Sequence, residues 1–242
     1  MKINKDNTYL FLKGNKNGII KHQPEDLFGD DFTILTKFKP DFKYIEEEVK
    51  TNPYHSMGLV SKNGKHMGLF FTSGYDAEGE WFFKISFEWW ETTLNPDEDK
   101  VNAVDIFRKS SIIDKELSVA VWRKDDELFI RVGDEVVMKK LGNLIDYQYS
   151  YTWIGAANRL YDDFNHIFVG DISFMHLQEG ILTREQQDLG FKQYNEFVDS
   201  ISKNREIKTI FTSNFEENTF YKVKDDSNNF NHIIKFSKEW LN

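Results

Sequence analysis

Glu88 and Trp90 stand two residues apart in the run EWFFKISFEWWETT, from Glu80 to Thr93. A strand period of two gives them one face, opposite the row Trp81, Phe83, Ile85, Phe87 and Trp89. A ring beside a carboxylate is the smallest sugar site. The ring stacks on the apolar C–H face of a pyranose, and the carboxylate accepts hydrogen bonds from its hydroxyls. Residues of the same kinds recur at Trp122, Arg131, Trp153 and Asn158. Trp122 alternates against Val119 and Val121, Arg131 against Ile130 and Val132, and Trp153 against Thr152 and Ile154. Together the six are the candidate carbohydrate-binding set. The competing reading is that the rings pack under a C-terminal helix or the 94–111 loop, because Trp is usually well buried.

A second chemistry lies in NRLYDDFNH, from Asn158 to His166. Asp162, Asp163 and Asn165 there can offer oxygens to a hard cation. Such a cation takes six or more oxygens, so these three begin a site, and plain loop solvation is the alternative. Hydrolytic chemistry has less support. Glu88 and Glu91 are three apart and fall on opposite strand faces, while Glu78 and Glu80 precede the strand in a turn. The six His show no paired spacing for zinc. Phosphate-cradling and nucleophile-elbow motifs are absent.

The bulk properties narrow the class. A chain of 242 residues suits one large β-sandwich, and 22 Phe supply its core. The formal charge of -9 repels a polyphosphate backbone, so nucleic acid is not an expected partner. No apolar run approaches membrane-spanning length, so membrane insertion is not expected either. The chain has no Cys, which excludes disulfides, thiolate metal sites and Cys nucleophiles. The opening MKINKDNTYLFLKGNK has no apolar signal core. That fits a cytoplasmic or virion-borne protein, or part of a larger exported chain.

The elements that must position these residues are mostly strands. TYLFLKGNKNGII reads as two short strands about a turn. Phe32, Ile34, Thr36 and Phe38 alternate with polar partners up to Pro40. Residues 41–56 read as a solvated loop or helical turn. Asn63-Gly64 marks a hairpin within 57–74. Residues 94–111 read as a loop. ELSVAVWRKDDELFIRVGDEVVMKK, from Glu116 to Lys140, reads as three strands with turns at Asp125-Asp126 and Gly133-Asp134. Thr183 with Gln186 makes a capping box, and the apolar period predicts one helix of about five turns through Ile201. The last residues return to strand-like text rich in Phe and Ile. Residues 203–242 are therefore expected to be ordered parts of the sandwich.

Three stretches carry a family resemblance. YTWIGAANRLYDDFNHIFVGDISFMHLQEGILTREQQ is a strand, a polar loop, a Gly-led closing strand and a small helix. DFTILTKFKP and the 116–140 meander add to it. In this pattern the chain resembles laminin-G-like domains of the concanavalin A-like lectin and glucanase superfamily, over roughly Asn7 to Gly190. The resemblance implies an all-β, two-layer antiparallel jelly-roll over 1–190, with a helix and strands of 191–242 packed on it. It implies glycan or polysaccharide as partner, recognised without catalysis, and calcium at Asp162, Asp163 and Asn165. The alternatives are a structural or protein-interaction module of a virion or surface assembly, and a polysaccharide-active hydrolase. The superfamily's glucanases carry Glu-x-Asp-x-Glu on one strand face, and this chain lacks it.

Overall fold

The computed structural model describes residues 8–9, 19–22, 31–62, 67–91, 100–109, 115–141, 152–155, 157–159, 163–166, 168–202, 208–214, 223–224 and 232–235. Its strands are β1 (Thr8–Tyr9), β2 (Ile19–His22), β3 (Phe32–Pro40), β4 (Tyr54–Lys62), β5 (Met67–Tyr75), β6 (Trp81–Glu91), β7 (Lys100–Lys109), β8 (Leu117–Lys124), β9 (Glu127–Val132), β10 (Glu135–Lys140), β11 (Thr152–Ile154), β12 (Ala157–Arg159), β13 (Asp163–Asn165), β14 (Gly170–Glu179), β15 (Lys208–Asn214), β16 (Val223–Lys224) and β17 (His232–Lys235). The helices are α1 (Phe42–Glu48), α2 (Arg184–Lys192) and α3 (Tyr194–Ser202).

Thirteen of these strands form two antiparallel sheets with a shared core, and β1-β16 and β12-β13 form two further two-stranded ladders. The six-stranded sheet runs β10-β9-β8-β3-β14-β15, and the seven-stranded sheet runs β17-β2-β11-β4-β5-β6-β7. Phe32, Ile34, Phe38, Val119, Val121, Leu128, Ile130, Met175 and Leu177 face inward from the first. Met57, Leu69, Phe71, Phe83, Ile85, Phe87, Trp89, Val104 and Ile106 face them from the second. Rings interlock across the gap. Phe38 meets Phe71 edge-on at 5.8 Å and Phe168 at 5.6 Å. The chain is thus all-β in class, a two-layer sandwich.

The β8–β9–β10 meander follows its turn chemistry. Asp125 and Gly133, first of each two-residue turn, take positive φ of 54 and 61. Gly at that first position suits a hairpin turn whose second residue is ordinary, which explains the order Gly133-Asp134.

Three regions depart from the sequence reading. Residues 41–56 hold a true helix, α1, capped where the Asp41 carboxylate accepts the Tyr44 N–H at 3.2 Å. Residues 100–109, read as loop, form β7, paired with β6 from Phe82 to Glu91. Only Val104 and Ile106 of that strand are buried, so its apolar period is short. The single long helix is two helices. The capping box at Thr183 and Gln186 is present. At Gln193, φ -144 and ψ 75 break the helical path. The corner folds α3 back so that Phe191, Tyr194 and Phe197 all stand edge-on to Phe174 of β14, at 6.4, 5.8 and 6.0 Å. A straight helix at 1.5 Å per residue would carry its second half off that patch.

The returning strands join both layers. β15 pairs with β14 and β17 with β2. The segments 208–214 and 232–235 are therefore strands of the sandwich itself. Among the described residues no helix is long and apolar enough to cross a membrane.

Candidate functional site

The sandwich has two outer faces, and they differ. The outer face of the six-stranded sheet lies under α2 and α3. Leu35, Ala120 and Phe174 of the sheet form a second core with Leu182, Phe197 and Ile201. Trp122 packs against this cluster and stacks on Phe129, with centroids 5.0 Å apart and planes 2° from parallel. Rings stacked between neighbouring strands stand on the sheet and spend their faces on each other. Trp122 is thus half-buried beside the helices, as the competing reading held.

Arg131 shares that face and is 4% exposed. Its Nη1 donates to Gln187 Oε1 at 2.8 Å, its Nε to the Gly133 carbonyl at 2.8 Å, and its Nη2 to Asp188. The Phe191 ring lies 5.8 Å from the guanidinium carbon. Burial pushes the Asp188 carboxyl up, but the Arg131 hydrogen bond and the charges of Arg131, Arg184 and Lys192 hold it below the usual range. Arg131 is an anchor for α2, with a bond from each of its three nitrogens made inside the protein. Neither Arg131 nor Trp122 shares a surface with Glu88, because their strands belong to the other sheet. The six candidate residues therefore do not form one platform: Trp122 and Arg131 lie on one sheet, Glu88, Trp90 and Trp153 on the other.

The outer face of the seven-stranded sheet holds Glu88. Its carboxylate accepts the Ser86 hydroxyl at 2.8 Å and lies 3.8 Å from Lys84 Nζ. Trp90 pairs with Val101 on β7, and its side chain lies outside the described residues. Trp153, on β11, belongs to the same sheet. The register row runs Lys21, Trp153, Ser61, Gly68, Glu88, Ala103. Three strand spacings of about 4.8 Å separate positions 153 and 88, roughly 14 Å in all. The middle of this face is closed, with Ser61, Phe70 and Ser86 buried.

Its β6–β7 flank is open. Phe107 is 43% exposed and stacks one face on Phe82, at 5.2 Å and 23°. Lys84 pairs directly with Phe107, Ser86 with Asp105, and Glu88 with Ala103. Phe107 thus has Lys84 across from it and the exposed Asp105 two residues along its own strand, while Glu88 stands farther along β6 with its carboxylate 3.8 Å from Lys84 Nζ. Phe82, Lys84, Asp105 and Phe107 were absent from the candidate set. For Asp105 and Phe107 the missing signal was that β7 is a strand; Phe82 and Lys84 share the Glu88 face of β6 by alternation alone.

A carboxylate cluster closes the β5–β6 turn. Asp76, Glu78 and Glu80 bring their oxygens together, an arrangement that can hold a cation. A side chain already supplies one. Lys109 Nζ lies 3.1 Å from Asp76 and 3.0 Å from Glu80, and it bonds Glu78 as well. Hydrogen bonds to Glu78, Glu80 and Asp76 hold the Lys109 pKa well above the ordinary lysine value. The Glu80 backbone N–H is the largest influence lowering the Asp76 carboxyl, with Lys109 adding to it.

Asn158 lies on β12, paired with Phe164 of β13, whose ends are Asp163 and Asn165. Asp162 and the side chains of Asn158, Asp163 and Asn165 lie outside the described residues. The calcium expectation therefore rests on sequence alone.

No protein-family model matches the chain, and no curated protein matches it.

Proposed function

We propose that the chain is a non-catalytic glycan-recognition module, a lectin-like sandwich that binds on the open β6–β7 flank. The observation that carries this is Phe107, 43% exposed, backed by Phe82 and flanked by Lys84 and Asp105, with the Glu88 carboxylate farther along the same face, 3.8 Å from Lys84 Nζ. The backing ring fixes Phe107, so little rotamer freedom is lost on binding. Its other face can stack on a sugar while the carboxylates accept hydroxyl hydrogen bonds and the ammonium donates one. The resemblance of pattern to laminin-G-like domains supports the same reading. The laminin-G and jelly-roll assignments stand as part of this proposal.

A protein-interaction module is the second reading, and a different observation favours it. Val101, Phe107, Val136 and Met138 are all exposed, and all lie on β7 or β10, the end strands of the two sheets.

An array of immobilised glycans probed with the native chain and with Phe107→Ala tests the first reading. The native chain should bind a defined subset. The variant should lose affinity on the order of 1–3 kcal/mol, as for base–aromatic stacking, with an unchanged melting midpoint. An array without binding, or a variant that binds as well as the native chain, contradicts it.

A further inference from the structure

We propose that β10 is a self-association edge, along which two copies of this chain pair antiparallel about a two-fold axis through Val137. The partner is a second copy, and the recognition chemistry is written in the segment Asp134 to Lys140, DEVVMKK.

β10 ends the six-stranded sheet, and among the described residues no strand pairs with its outer side. An open edge is a row of unpaired N–H and C=O groups that templates another strand. The two-residue turn at Gly133-Asp134 sets which groups these are. Val132 and Glu135 close the turn as a hydrogen-bonded pair, so Glu135, Val137 and Lys139 bond inward to β9. The N–H and C=O groups of Val136 and Met138 therefore point outward. These are also the two exposed apolar side chains of the strand, 44% and 46% exposed.

Antiparallel self-pairing about Val137 places Val136 opposite Met138 of the second copy, twice, as the hydrogen-bonded pairs. It places Glu135 opposite Lys139 of the second copy, twice, at the closer non-hydrogen-bonded positions where side-chain pairs count most. Just beyond, Asp134 meets Lys140. Acid thus meets base and apolar meets apolar at every pair, with Val137 on the axis. The same residue contacts on both copies make the interface isologous, and it closes at two. The six-stranded sheet continues from one copy into the next. Within one copy Glu135 already binds Arg108, whose Nη1 lies 3.3 Å away, and Lys139 reaches Asn102 at 3.4 Å. The pairs with a second copy extend these networks and leave the fold intact.

β7, the other apolar end strand, fails the same construction. Pairing it about Val104 sets Val101 against Phe107 but Lys100 against Arg108 of the second copy, a like-charge clash at both ends.

Sedimentation velocity of the full chain over a wide concentration range tests the proposal. The native chain should show a monomer–dimer equilibrium. Lys139→Glu turns two attractions into two repulsions and should weaken the dimer on the order of tenfold or more. The charge swap Glu135→Lys with Lys139→Glu restores opposite signs and should recover it. Met138→Pro removes an outward N–H, which a folded edge strand tolerates, and should abolish the dimer with secondary structure and melting transition retained. A native chain that stays monomeric overturns the proposal. So does a dimer indifferent to both Lys139→Glu and Met138→Pro, or a charge swap that stays as weak as the single change.

Discussion

A guanidinium taken out of water needs partners, and each of Arg131's three nitrogens has one, in the Gly133 carbonyl, Gln187 and Asp188. Its side-chain type matched a sugar ligand, and its alternation placed it away from the sandwich core. The second holds in the structure, where Arg131 lies outside the core between the sheets. What a strand pattern lacks is any record of what covers the outer face, and here α2 covers it. Glu88 is the reverse case, a carboxylate on a face that no helix among the described residues covers.

His55 carries a pH dependence of its own. Burial lowers its pKa, which the Glu48 carboxylate, 3.9 Å from Nδ1, offsets in part. Its Nε2 is buried without a hydrogen-bond partner among the described residues, and its ring meets Tyr44 edge-on at 5.4 Å. A depressed folded pKa means that the unfolded chain binds the proton more readily. The stability that neutral His55 provides is present above the ordinary His value and is lost as pH falls below it. The melting midpoint of the native chain should fall between pH 7.5 and pH 5.5 by more than that of His55→Gln. Parallel curves for the two would show that His55 does not contribute.

At the scale of elements, α2 and α3 decide which face is available. Phe197 is fully buried where α3 meets the sheet, edge-on to Phe174 and to His176 at 6.0 and 4.8 Å. Phe197→Ala should cost about 3–5 kcal/mol by lost burial and the cavity left behind. A denaturant midpoint unchanged in that variant would mean that the helices do not seal the sheet. The helix start was legible, because Thr183 and Gln186 are a local device with a fixed spacing. The break at Gln193 was not, since it answers to Phe174, distant in sequence. The β8–β9–β10 meander was legible because its turns carry Asp and Gly where positive φ is needed. β7 was not, because an end strand buries few side chains and its Asp105 and Lys109 read as loop.

At the scale of the whole molecule, one sheet is roofed by helices and the other keeps an open flank. Composition and alternation predicted the all-β sandwich. They could not divide Trp122 and Arg131 from Glu88, because strand order within a sheet is set by tertiary pairing and not by local pattern. The proposed glycan site lies on the open side, on β6 and β7. The most direct measurement is amide chemical-shift mapping of the full chain during titration with a glycan retained on the array. The account predicts saturable shifts at Lys84, Glu88, Asp105 and Phe107, with Trp122 and Arg131 unmoved. Shifts centred on the helix-covered sheet, or none on β6 and β7 at saturation, would contradict it.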